Sequence, residues 1–171
     1  MKKYEFTGET KEIRLLFRTA TLHRIRATVA FGIVEVGDLG GWIEKEENLS
    51  HEGKAWVCGD AEVWGNAEVW GNAKVCGDAK VWGNAEVFSA SHVLVIGAIG
   101  SRNDFTTFYR DKDNEITVKC GCFLGKIDRF LEKVTQTHGD SKYALVYRAA
   151  VEVAKLQIDL SGEAPKDADE E

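Results

Sequence analysis

The 171 residues contain a single proline and a single methionine, and no apolar run approaches the ~18 residues of a membrane-spanning helix. The opening MKKYEFTGET lacks the apolar stretch of a secretion signal, so the chain reads as cytoplasmic and a membrane is not an expected partner. An excess of basic residues is also missing, since 22 Lys and Arg stand against 28 Asp and Glu for a net charge of −6. Much of that acidity lies in the closing SGEAPKDADEE, which leaves the remainder close to neutral. A near-neutral surface argues against duplex nucleic acid as the main partner, yet a small anion remains compatible with it. The four cysteines have no zinc-finger spacing, and Cys120-x-Cys122 alone is a weak metal signal, so free thiols and no metal are expected. Gly125-Lys126 is followed by Ile127, so the Ser or Thr that ends a P-loop is absent. No nucleophile with a base, no metal cluster and no paired carboxylates emerge, and neither catalytic residues nor cofactors are expected.

What the chain does have is an exact short period. Gly59 to Val87 reads GDAEVWGNAEVWGNAKVCGDAKVWGNAEV, a six-residue unit of Ala, charge, Val, bulky residue, Gly and Asn or Asp. Each Ala-x-Val-x run alternates like a strand, and Gly-Asn or Gly-Asp supplies a corner, where Asn and Asp tolerate left-handed backbone. Hairpins would set Val63 opposite Glu68 and Trp64 opposite Ala67, leaving neither face consistently apolar. If every corner turns the same way, three units close a triangle with Ala and Val inward, and successive turns pair in parallel every eighteen residues. The expected fold class is therefore mainly β, built on a short parallel β-helix of hexapeptide repeats. Ile43, Leu49 and Ala55 continue the inward register backwards and Val93 continues it forwards, so the helix is expected over 39–100, ~15 Å tall at ~4.8 Å per strand.

Residues eighteen apart then stack in outer ladders. One carries Trp64 and Trp82 beside Glu62 and Lys80; a second carries Trp70 and Phe88 beside Glu68 and Glu86; a third carries Cys58, Cys76 and Leu94 beside Lys74 and His92. Exposed aromatic columns on a short prism point to an interface or a stacking platform, so Trp64, Trp70, Trp82 and Phe88 are candidate interface or stacking residues and a homotrimer is the expected assembly. Cys58 and Cys76 stack closely enough for oxidation to join them.

Before the repeats, KYEFTGETKEI and TLHRIRATVAF alternate like strands and predict a β-rich cap over 1–38. GDLGGWIEKEENLS followed by runs of GNAxVxG resembles the hexapeptide-repeat proteins of bacteria and their phages, often labelled transferases or polymer-forming proteins. The resemblance covers about residues 20–100. It implies a left-handed β-helix and a trimer, and many members of that class are acyltransferases that use a His as general base. Of His23, His51, His92 and His138, His92 alone is suitably placed for such a role.

After Gly100 the pattern changes. DFTTFYR and EITVKCGCF predict a hairpin, and the spacings of Ile127, Phe130, Leu131 and Val134 and of Ala144, Tyr147, Val151 and Ala154 predict two helices, giving a ββαα unit over 101–160 and a disordered acidic tail over 161–171. SRND, TTFY and CGCF look like segments of phage-associated hexapeptide proteins. Ser101, Arg102, Asn103, Thr106, Thr107 and Arg110 gather donors without acids, and Gly121, Gly125 and Lys126 offer backbone N–H groups and charge at a strand-to-helix passage. Ser101, Arg102, Asn103, Thr106, Thr107, Arg110, Lys126 and His92 form the candidate ligand-binding set; the alternative is that SRND caps the end of the β-helix. The expected function is a non-enzymatic trimeric binding protein, phage-encoded if the resemblance holds, that sequesters a small phosphorylated or nucleotide-like ligand. An acyltransferase relative and a purely structural or adaptor trimer are the alternatives.

Overall fold

The computed structural model describes residues 1–15 and 17–162. The expected disordered tail lies outside the described residues except for Ser161 and Gly162. Thirteen strands and two helices follow one another: β1 Tyr4–Arg14, β2 Thr19–Ala27, β3 Leu39–Ile43, the two-residue strands β4 Trp56–Val57, β5 Glu62–Val63, β6 Glu68–Val69, β7 Lys74–Val75, β8 Lys80–Val81 and β9 Glu86–Val87, then β10 Val93–Ile99, β11 Asp104–Arg110, β12 Ile116–Cys120, β13 Phe123–Lys126, α1 Ile127–His138 and α2 Lys142–Gln157. Among these described residues no helix is long and apolar enough to cross a membrane.

The architecture corrects the expected left-handed parallel β-helix. The strands are divided among several small sheets, and the chain is not a regular parallel β-helix. A mixed five-stranded sheet runs β1-β2-β3-β5-β8, a four-stranded sheet runs β10-β11-β12-β13, and β4-β7 and β6-β9 make two-stranded pairs. All contacts of β1 with β2, of β2 with β3, and within the four-stranded sheet are antiparallel. Parallel pairing at eighteen residues does occur, as Trp56 with Lys74, Glu62 with Lys80 and Glu68 with Glu86, but in segments of two residues. The corners explain that brevity, because a Gly-Asn or Gly-Asp every six residues leaves little chain to pair. The end of the expected helix is reassigned for the same reason. VLVIGAI has no such corner, so β10 runs on for seven residues and pairs antiparallel with β11.

The inward alternation itself is visible in burial. Ala61, Ala73, Ala79 and Ala85 and Val57, Val63, Val75, Val81 and Val87 are fully buried in one continuous core. At the corners the left-handed residue is Gly, while the Asn or Asp that follows is not. Gly71 shows why: at φ +64° an added Cβ would stand 2.8 Å from the carbonyl oxygen of Phe88.

Polar side chains close the N-terminal end of the repeats. Buried Asn48 donates from Nδ2 to the carbonyls of Gly65 (3.2 Å) and Ala67 (2.8 Å) and accepts from the Lys45 amide. Lys3 donates from Nζ to the carbonyls of Ala55 (2.8 Å) and Glu52 (3.2 Å), and burial lowers its pKa to about 8. Tyr4 donates its hydroxyl to the carbonyl of Leu49 at 2.8 Å.

A second core lies between the four-stranded sheet and the helices, where Phe108, Val118, Phe130, Val134, Tyr147 and Val151 are buried. β11 serves both cores through its two-residue alternation. Tyr109 donates its hydroxyl to the Trp82 carbonyl at 2.8 Å, toward the repeats, while Phe108 meets Phe130 edge-to-face toward the helices. The expected hairpin of β11 and β12 is thus the centre of a larger sheet. Cys58 and Cys76, with Cα atoms 4.5 Å apart, are joined as a disulfide in place of the expected thiols, and Cys120 and Cys122 are free.

Candidate anion-binding cleft

Three stretches that are distant in sequence meet around a cleft of about 210 Å³. Ile13, Arg14 and Leu15 at the end of β1 form one wall; Glu62, Trp64 and Lys80 on the repeat face form the floor; Asp104, Phe105, Thr107, Lys119 and Gly121 form the other wall. The second wall is fixed to the floor by hydrogen bonds, since Thr107 Oγ1 accepts from the Lys80 amide at 3.1 Å and the Lys112 amide donates to the Asn84 carbonyl at 3.0 Å. Trp64 and Trp82 stack at 5.5 Å between ring centroids beneath it. The Trp64 indole Nε1–H is buried without an acceptor.

The charges in this region are unbalanced. Lys119 is half-buried, its Nζ donates to the Gly121 carbonyl, and it stands 5.8 Å above the Trp82 ring. Burial pulls its pKa below the ordinary lysine value, Lys80 and Arg102 push the same way, and the sulfurs of Cys122 and Cys120 oppose them. Gly121, at φ +55°, leaves room for Arg102, whose Nη1 would lie 3.0 Å from an added Cβ. Arg14, Lys80, Arg102 and Lys119 form no ion pair among the described residues. Of the two carboxylates present, Glu62 is held by Lys11 at 2.7 Å, and Asp104 accepts from the Phe105 amide at 2.7 Å. Arg14, Lys80 and Arg102 are exposed and Lys119 is half-buried, so it is at Lys119 that neighbouring positive charge and burial act together, and an anion there would offset both.

The structure separates the expected ligand-binding set into several places. Thr107 lines the cleft, and Arg102 lies beside it against Gly121. Ser101 and Asn103 are exposed in the turn that precedes β11, and the Asn103 amide donates to the Gly100 carbonyl. Thr106 faces the helical core and donates to Cys120 Sγ at 3.3 Å. Arg110 is buried at the opposite end of β11, stacked 4.7 Å over the Phe88 ring, 3.4 Å from His92 Nε2, and donating to the Gly162 carbonyl. His92 does not project from an outer ladder; it is buried, and burial followed by the Arg110 charge lowers its pKa. Lys126 is consumed by Asp111 at 2.5 Å and Glu115 at 2.6 Å, which raise its pKa against the effect of burial. Lys126, Asp111 and Asp113 line a second, mixed-charge hollow with Trp82, in which Lys126 is the lining cation and is already ion-paired.

The aromatic columns are largely covered by the chain itself. Trp64 is 2% exposed and Phe88 9%, while Trp70 and Trp82 are half-buried. β11, β12 and Arg110 lie against them, a packing that a reading of the repeats alone does not anticipate. Arg14, Lys80, Phe105 and Lys119 were not singled out as ligand-binding residues by sequence reasoning. The available signal was Lys80, which shares an outer ladder with both tryptophans; Arg14 and Lys119 carry no local pattern and become neighbours only through the fold. No protein-family model matches the sequence, and no curated protein matches it either.

Proposed function

We propose that this chain is a non-enzymatic binding protein that holds a small phosphorylated or nucleotide-like anion in the cleft between β1, the repeats and β11–β12. The observation that carries this reading is that Arg14, Lys80 and Lys119 line the cleft, with Arg102 beside it at Gly121, and that none of the four has an ion-pair partner among the described residues. Lys119 and Arg102 supply charge and N–H donors to phosphate oxygens, and exposed Phe105 offers an apolar ring to the remainder of the ligand. Binding is favoured over turnover because no histidine lines the cleft and its carboxylates are either paired or engaged locally. Buried, charge-shifted His92 is a poor general base, which weighs against the acyltransferase alternative. Sequestration of a signalling nucleotide in the cytoplasm suits the resemblance to phage hexapeptide proteins. In a reducing cytoplasm the Cys58–Cys76 link opens to two stacked thiols.

Isothermal titration calorimetry with pyrophosphate, linear and cyclic nucleotides and acyl-coenzyme A tests the reading. A phosphorylated ligand is expected to bind reversibly, more weakly at high salt, and to be recovered unchanged. Lys119→Gln is expected to weaken it by about tenfold or more, through loss of a charge-assisted contact. Unchanged affinity in that variant, or acyl transfer from coenzyme A, overturns it.

A further inference from the structure

Arg110, at the end of β11 away from the cleft, donates to the carbonyl of Gly162, which fixes the point where the described residues end. Nine residues follow, Glu163 to Glu171, with five carboxylates against the single ammonium of Lys166. The surface beside Gly162 repels them. The Phe88 ring lies against Gly162, and two residues before it Glu86 stands directly across a parallel ladder from Glu68. Neither of these carboxylates has an ion-pair partner among the described residues. Like charges opposite one another already destabilise a sheet, and further carboxylates there add to the cost. At the other end of β11 the charge is reversed, for Lys119, Lys80, Arg102 and Arg14 are cations without ion-pair partners among the described residues.

We propose, on the reading of the cleft as an anion site, that the acidic segment Glu163–Glu171 is its internal occupant, and that a phosphorylated ligand enters by displacing it. Reach permits the contact. Thr107, the partner of Lys119 across β11 and β12, is three residues from Arg110, or ~10 Å along the strand, whereas the seven residues from Gly162 to Asp169 span up to ~25 Å. Charge selects the destination, because Asp167, Asp169, Glu170 and Glu171 are crowded at the far end of the segment and the unpaired cations are crowded at the cleft. Exposed ion pairs are individually weak, so the hold depends on several carboxylates together and fades with salt. A phosphoryl group brings more charge and more acceptor oxygens than a carboxylate, so it prevails at Lys119. The segment competes as a tethered ligand at an effective concentration near the millimolar range, and the affinity observed for an external anion falls by the fraction of clefts it fills.

The test neutralises the segment within the full chain, by Asp167→Asn, Asp169→Asn, Glu170→Gln and Glu171→Gln together. A control neutralises four exposed acids elsewhere, by Glu35→Gln, Glu47→Gln, Glu52→Gln and Asp78→Asn, and so changes net charge equally. Without any ligand, the backbone amide resonances of Lys119 and Gly121 are expected to differ between the wild type and the neutral-segment protein at low salt, and to converge near ~0.5 M salt, where screening is felt beyond about 4 Å. By calorimetry, pyrophosphate is expected to bind the neutral-segment protein at least about fivefold more tightly than the wild type, and the control within about twofold of the wild type. Unmoved Lys119 and Gly121 amides overturn the proposal, as do measurable but equal affinities in the wild type and the neutral-segment protein, or an equal gain in the control. Pyrophosphate binding that persists in any of those cases leaves the anion reading standing. Amides that move in two proteins that both fail to bind pyrophosphate uphold the segment as occupant and overturn the small-anion reading instead.

Discussion

The repeat block fills its interior with nothing larger than Ala and Val at the repeated positions, whereas the C-terminal unit fills its own with Phe108, Phe130 and Tyr147 set edge-to-face at 5.6 to 6.4 Å. The two interiors show what an exact period permits. A corner every six residues encloses a narrow space, filled by Ala and Val through the exact repeat and by the larger Ile43 and Leu49 only in the turn before it. An aperiodic sheet and two helices enclose a wider one that rings can fill. The repeats thus form a uniform floor, and the variation needed for a site comes from the unit that packs upon it: Phe105, Thr107, Lys119 and Gly121 on one side of the cleft.

This contrast is broken or upheld most directly by truncation within each core. Phe130→Ala removes a ring that touches Phe108, Phe123 and Tyr147 and is expected to cost about 3–5 kcal/mol. Val75→Ala removes two carbons from a fully buried position and is expected to cost about 2 kcal/mol. Urea denaturation of both variants measures the difference. Equal costs would mean that the repeat interior depends on single side chains as strongly as the helical core does.

Polar closure sharpens the comparison on a smaller scale. Asn48→Ala leaves the Gly65 and Ala67 carbonyls and the Lys45 amide without their partner in a buried setting, at an expected cost of about 2–3 kcal/mol. Thr106→Val removes one hydroxyl bond to a sulfur acceptor in the C-terminal core, at about 0.5–1 kcal/mol. The same denaturation experiment reads both, and a larger loss from Thr106→Val would reverse the assignment of Asn48 as the plug of the repeat end.

The legible parts of the fold are those set by local pattern. The inward Ala and Val positions follow from an alternation that each unit repeats, and α1 and α2 follow from Phe130–Val134 and Ala144–Tyr147–Val151 spacing. The division into small sheets was not legible, because it depends on where antiparallel partners from outside the period, β2 at one end and β10–β11 at the other, capture the repeat. The same limit applies to the site. Arg102 and Thr107 belong to a segment marked by its donors, but Lys119 and Arg14 acquire their role from a cleft whose walls lie about a hundred residues apart in sequence. His92 and Lys126 show the converse: each has a suggestive local context, and each is taken up by Arg110 or by Asp111 and Glu115 once the chain folds.

A pH-dependent effect separates the two regions by sign. Lys3, buried at the repeat end, has a folded pKa of about 8 against 10.5 for an unperturbed lysine. Between those values the unfolded chain binds more protons than the folded one, so folding stability rises with pH across that window and is flat below it. Lys126, held by Asp111 and Glu115 in the C-terminal sheet, has a raised pKa, so its contribution is complete below the unfolded value and is lost as pH climbs through the folded one. Lys3→Met is therefore expected to abolish a stability gain between about pH 8 and 10.5, and Lys126→Met to spare that gain. Denaturation midpoints of the three proteins across the window decide it: a wild-type gain that survives Lys3→Met would place the titrating group elsewhere, and with it the reason the repeat end tolerates a buried ammonium.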